Sequence, residues 1–247
     1  MKSSYLNRPI LLILALAVIL GMLRLGFWQL DRAEQKRLIL HQTKDRSTQP
    51  VVELDALLGD FGDGYRFRKI QTTGHYLGGE TIYLDNQTHN SRVGYHVVSP
   101  FQLEDSDNVV MVNRGWVAVG NSRQQLPKVT TPEGPVSISG RLNLAVAQPP
   151  LWDDQYPVSS GSVWQYLPLD EYAAQMQLKV LSLVVELAPG QAGSNDLEQQ
   201  WAVIDDQWVA KHQGYAFQWF AMALALFIAS LLLLIKSLNQ TRQTQGS

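Results

Sequence analysis

A membrane protein of the α+β class is what this sequence predicts: two transmembrane helices flanking one mostly antiparallel β-rich domain, barrel- or sandwich-like, with a short packed helix. Three observations carry that prediction. Uncharged apolar runs stand near both ends of the chain, and the stretch between them alternates apolar and polar residues with period two. Glycine, proline, asparagine and aspartate break the alternation at fairly regular spacing. The boundaries that follow are a tail at 1–9, a first span at 10–30, an outer β-rich domain with a helical stalk at 31–211, a second span at 212–235 and a tail at 236–247.

The first span holds an unbroken apolar run over 10–23, with Pro9 suited to a first helical position. Counted on to Leu30, with Arg24 snorkelling and Trp28 as an aromatic anchor, it reaches the roughly 20 residues that cross the hydrocarbon slab. A cleaved signal peptide is the rival reading. The run passes straight into Arg24 and Trp28 with no small-residue cleavage site, which favours an uncleaved anchor. Residues 31–42 continue outward as a polar helical stalk on which Arg24, Trp28, Asp31 and Gln35 line up.

Residues 53–58 suit a brief helix stopped at Gly59, and FGDGY reads as a turn. Strands are expected from 65 onward, at 81–84, 93–98, 109–119, 136–146, 162–167, 180–187 and 201–204, closed or folded over one core. Residues 169–178 suit the packed helix, because Asp170 and Glu171 stand where the helix dipole favours negative charge. The loop-rich segments 149–161 and 189–196 read as surface connections.

The second span is free of formal charge from 216 to 235. At about 100° per residue, His212, Tyr215, Trp219, Met222 and Leu226 share one face of it. Two readings stay open for that stripe. It is an interfacial aromatic belt with a polar flank, or His212 is a ligand or proton-handling group at the mouth of a membrane-embedded site.

Composition narrows the chemistry. A formal net charge of -2 with scattered Lys and Arg offers no field for nucleic acid. With no cysteine, there is no disulfide, thiolate metal site or thiol nucleophile, so a metal or haem must be held by His, Met, Tyr or carboxylate. No phosphate-cradling glycine loop, zinc-protease helix motif or nucleophile elbow occurs. Asp153-Asp154 and Asp205-Asp206 are neighbours that a strand turns to opposite faces, not an acid/base pair. His41, His75, His89 and His96 lack metal-ligand spacing. In VNRGWVAVG, residues 112–120, Gly115 permits a bend or close backbone approach and Trp116 a flat surface, so this is either a bulged core strand or a contact surface.

Three stretches together resemble the Surfeit locus protein one family of cytochrome c oxidase assembly factors. They are LGFWQLDRAEQK at 25–36, VNRGWVAVG at 112–120 and HQGYAFQWFAMA at 212–223, in the right order about two spans. The resemblance implies a non-catalytic helper in the bacterial inner membrane, acting in maturation of oxidase subunit I, with some members binding haem a. On that footing His212 is the expected metal ligand, with Tyr215, Trp219, Trp28 and Arg24 as cofactor-binding residues. Arg24 and Arg32 offer charge-assisted donors to haem propionates. The Arg114, Gly115 and Trp116 core becomes a partner-binding candidate toward subunit I and other assembly factors. Lys2, Arg8, Lys236 and Arg242 in the tails favour cytoplasmic termini and a periplasmic domain, although Arg32, Lys36 and Arg37 lie on the domain side. A cofactor-free structural adaptor and an anchored hydrolase are the competing classes.

Overall fold

The computed structural model describes residues 7–57, 63–120, 122–123, 125–144, 158–199, 201 and 206–245. The chain divides into two compact units, one made of residues 1–41 with 203–247, the other of residues 42–202.

The first unit is built on two helices, α1 (Asn7–Ser47) and α3 (Asp206–Gln245). Both are long and apolar enough to cross a membrane. Their apolar side chains stay largely exposed, as in Leu11, Phe27, Phe217 and Leu233. In water such a surface would be untenable, since each fully exposed large side chain forgoes about 1.5–3 kcal/mol of burial. α1 runs without a break through the stalk, five residues beyond the expected end at Gln42, and α3 begins six residues before His212.

The second unit is a closed barrel. Its strands are β2 (Lys69–Tyr76), β4 (Arg92–Leu103), β5 (Asn108–Ala118), β6 (Val136–Asn143) and β9 (Lys179–Leu187), joined in the order β2-β6-β9-β5-β4, with β4 returning to β2 through Gly74–Leu103 and Tyr76–Phe101 pairs. Most pairs are antiparallel, but β5 and β9 are parallel, with Val109 opposite Val180. β1 (Val52–Glu53) adds to β2. β3 (Ile82–His89) pairs with β4 through a two-residue turn, where Asn90 and Ser91 both take positive φ as a type I′ hairpin requires. β7 (Ser159–Ser160) and β8 (Val163–Trp164) extend the sheet beyond β3.

Period two sorts the side chains into two cores rather than the single one expected. Val110, Val112, Leu183, Val185 and Leu187 point with Ile70, Tyr76, Phe101 and Ile138 into one. Met111 and Val184, next along the same strands, join Ile82, Leu84, Val98, Trp164 and Tyr172 in the other, under α2 (Leu169–Met176). Because β5 is covered on both faces, nine consecutive residues of it are buried. α2 carries Asp170 and Glu171 in its first turn and ends on Gln177 in the left-handed conformation. Of the brief helix expected at 53–58, Leu54–Leu57 form a single turn, Glu53 lies in β1 and 58 falls outside the described residues; a second such turn stands at Asp63–Tyr65. The expected strand at 201–204 and the loop at 149–161 fall largely outside the described residues.

Candidate functional site

The helix pair has a seam that hydropathy alone conceals. The less exposed positions of α1 include Ala15, Ile19, Met22, Gly26, Gln29, Ala33, Lys36 and Leu40, and those of α3 include Val209, His212, Ala216, Trp219, Ala223, Leu226 and Ser230. Both series alternate steps of three and four, the period with which one helix faces another. Small residues let the backbones approach: a Cβ added at Gly26 would lie 2.6 Å from the Phe220 ring. Phe27 and Phe220 meet edge to face at 5.3 Å, and the Lys36 ammonium stands 6.0 Å from the Trp208 ring.

His212 sits inside that seam, half-buried. Its Nδ1 lies 2.7 Å from Oε1 of Gln29 on α1. Trp219 is half-buried along the same seam, whereas Tyr215 and Met222 are exposed on its flank, the side that also carries Trp208. Arg24 and Trp28 fall elsewhere. Counted at about 100° per residue from Gly26, they point well away from α3, and both are exposed. They line a shallow recess on α1 with Gly21, Leu25, Phe27 and Asp31. Beside it Arg32 stacks 5.7 Å from the Trp28 ring and donates to Gln35, which donates to Asp31. The five cofactor-binding candidates are therefore split between two faces, with His212 and Trp219 together and Arg24 and Trp28 apart from them. Sequence reasoning passed over Gln29, although its three-residue step from Gly26 and four-residue step to Ala33 place it in the seam. Among the described residues no cluster of three His, Asp or Glu side chains is arranged to hold a metal ion.

In the barrel, the Arg114, Gly115 and Trp116 candidates turn inward. Arg114 has no exposed surface. Its Nε donates to Gly193 O at 2.8 Å, Nη1 to Thr131 Oγ1 at 3.0 Å and to Ser99 Oγ at 3.2 Å, and Nη2 to Thr130 O. Its guanidinium lies 5.3 Å from the Tyr76 ring, whose hydroxyl donates to Ala192 O. Burial pulls the guanidinium below its usual range, an effect that the Tyr76 and Tyr83 hydroxyls oppose; burial likewise raises the Tyr76 phenol. These bonds fasten residues 130–131 and 192–193 to the sheet. A partner would meet those loops rather than the arginine itself.

Gly115 takes φ +139°, and a Cβ there would stand 2.8 Å from Leu197 Cβ. Trp116 is 3% exposed and donates from Nε1 to Gln87 O, while its backbone exchanges both bonds with Glu198. His89 and Arg92 hold the Glu198 carboxylate at 2.8 and 2.7 Å, and Arg92 covers the Trp116 ring at 5.0 Å. His96, beside Asn113 and Trp201, is pushed down to about 4 by burial and then by nearby His89, so it is neutral at physiological pH.

Two apolar helices paired along a seam and a closed barrel pinned by a buried arginine define a barrel protein with two candidate membrane spans. The chain belongs to the SURF1 family, whose model matches residues 16–224. It is similar to the SURF1-like protein of Rickettsia bellii, 29% identical over 215 residues covering 83% of this chain and 82% of that one. The SURF1-like protein of Drosophila melanogaster is 29% identical over 81% of this chain and 70% of its own length. The cytochrome oxidase assembly protein SHY1 of Saccharomyces cerevisiae is 27% identical over 95 residues, 38% of this chain and 24% of that one.

Proposed function

We propose that this chain is a non-catalytic, membrane-anchored factor for assembly of a haem-copper cytochrome oxidase, and that it handles haem a through His212 on the way to subunit I. Family membership and the similarity to the yeast cytochrome oxidase assembly protein support the assembly role. The observation that carries the haem reading is the His212–Gln29 bond. A histidine that ligates a metal characteristically has its second ring nitrogen held by a neighbour, and His212 is held in that way at an apolar helix pair. When bound, haem a would supply an iron centre that accepts one imidazole. Tyr215 and Trp219 offer aromatic surface about one and two turns further along α3. Arg24 and Arg32 lie toward another face of α1, so propionate pairing is not part of the proposal. On this reading both termini lie in the cytoplasm and the barrel in the periplasm, where its pinned loops dock on subunit I and other assembly factors.

A second reading has its own observation. A polar bond across a seam of small residues also serves as a pin between two membrane helices. In that case His212 and Gln29 hold the hairpin together and the chain is an adaptor without a cofactor. Complementation separates the two. In cells lacking this chain, the oxidase haem band of isolated membranes should fall and return with the wild-type protein. Return of less than about a tenth of it with His212→Asn, whose amide can still donate to Gln29 but offers no imidazole, at equal protein level, supports haem handling; full return supports the adaptor, and a band that never fell overturns the assembly role.

A further inference from the structure

We propose that Gln29 is a positioning residue that sets the tautomer of His212, forcing the ring proton onto Nδ1 and leaving Nε2 as the only lone pair. The consequence for iron ligation rests on the haem reading above; the tautomer itself does not.

Gln29 Oε1 lies 2.7 Å from Nδ1 of His212, and an amide oxygen only accepts, so with the amide in this orientation Nδ1 donates. A neutral imidazole carries one proton, and Nε2 is then bare. Neutral histidine in water prefers the opposite arrangement, with the proton on Nε2. The bond therefore has to reverse a solution preference, which a hydrogen bond of about 1 kcal/mol or more in low dielectric is able to do. The side-chain bond that His212 makes among the described residues is through Nδ1.

Placement makes the contact dependable. Gln29 follows Gly26 and precedes Ala33 in the seam of α1, and His212 stands between Val209 and Ala216 in the seam of α3, three of these four neighbours being buried apolar side chains and the fourth a buried glycine. An amide at this position differs from a carboxylate in one respect that matters for a ligand. It orients the ring without a negative charge that would draw the proton away from neutral sharing and make Nε2 a more strongly donating ligand. Asp31 and Glu34, the nearest carboxylates in sequence, are engaged by Gln35 and Arg37 respectively.

The test is nitrogen NMR on full-length protein labelled with 15N-histidine in lipid nanodiscs, at a pH where the ring is neutral. Wild type should show His212 with a protonated Nδ1 and a bare Nε2. Gln29→Leu, which removes the acceptor, should shift the ring predominantly to the Nε2-protonated form, and Gln29→Asn, a methylene too short, should do the same if the leucine variant fails to insert. Gln29→Glu should restore the Nδ1-protonated form. Unchanged nitrogen shifts in both the Leu and Asn variants, or an Nε2-protonated wild type, overturn the proposal.

Hemin titration of the same samples separates this from the haem reading. Tautomer loss in Gln29→Leu with about tenfold weaker hemin binding supports both. Tautomer loss with hemin bound by neither protein sustains the role of Gln29 and removes the haem reading. Hemin bound through His212 with equal affinity and an unchanged tautomer in Gln29→Leu keeps the haem reading and overturns the role of Gln29. In hemin-loaded protein Gln29→Glu should lower the reduction potential, a change that a merely structural contact would not produce.

Discussion

The barrel buries a basic side chain and the helix pair half-buries another, and they use them in opposite ways. Arg114 makes four bonds to neutral acceptors and lies over the Tyr76 ring, with no carboxylate bonded to it among the described residues. Its donors are nearly used up, so it is a fastener. Among the described residues, His212 makes one side-chain bond, from one of two ring nitrogens. A saturated polar group holds structure, while a half-saturated one keeps a valence for chemistry.

The sharpest way to break that contrast is to remove the fastener. Arg114→Met takes the guanidinium from Gly193 O, Thr130 O and Thr131 Oγ1, each costing roughly 1–3 kcal/mol when unsatisfied, while Ser99 keeps its bond to Thr81. With partial relaxation the barrel should lose about 4 kcal/mol, read as a shifted denaturation midpoint in tryptophan fluorescence; a shift under about 1 kcal/mol would mean that the arginine is not what holds the loops.

Acid should loosen the same region next. The folded pKa of His96 is depressed to about 4 from an ordinary 6.5. Between those values the unfolded chain takes up the proton and the folded chain does not, so stability is full above about 6.5 and falls as pH drops toward 4. The loss reaches at most about 3 kcal/mol. His96→Gln should flatten that part of the stability-against-pH curve.

Gly115→Ala tests the bend beside the arginine. With φ at +139° and Leu197 Cβ within 2.8 Å, an added methyl should cost about 2–3 kcal/mol. His212→Ala makes the opposite point. It removes one interhelical bond and should change the thermal stability of the detergent-solubilised protein by only about 1 kcal/mol, while abolishing any ligand chemistry at the seam. Glu198→Gln should have the smallest effect, about 0.5 kcal/mol, because Glu198 and Arg92 are 42% and 56% exposed.

Much of this architecture was legible in the residues, for particular reasons. Uncharged runs reveal spans because lipid tolerates no scattered charge, and the alternation in KIQTTGHY or VSISGRLN reveals strands because side chains change face at every step. Partner strands were not legible. Alternation says which face a residue takes and nothing about which strand lies beside it, so the parallel pairing of Val109 with Val180 and the closure of β2 on β4 emerge only in the structure. The seam at Gly26, Gln29 and Ala33 was hidden for a different reason: inside an apolar helix, small residues mark the contact face, and hydropathy contrast does not. Arg114 defied its type. Arginines are exposed by default, and nothing local in VNRGW announces that loops some 16 and 79 residues away will supply its acceptors.

Haem handling through His212 is tested most directly by the optical spectrum of the detergent-purified full-length protein, expressed in cells that make haem a, for wild type and His212→Ala side by side. The expected result is a haem a band in the wild type that is lost or shifted in the variant. A haem-free wild type, or an identical band in both proteins, would contradict a site at His212 and leave the helix pair as an anchor pinned by its histidine.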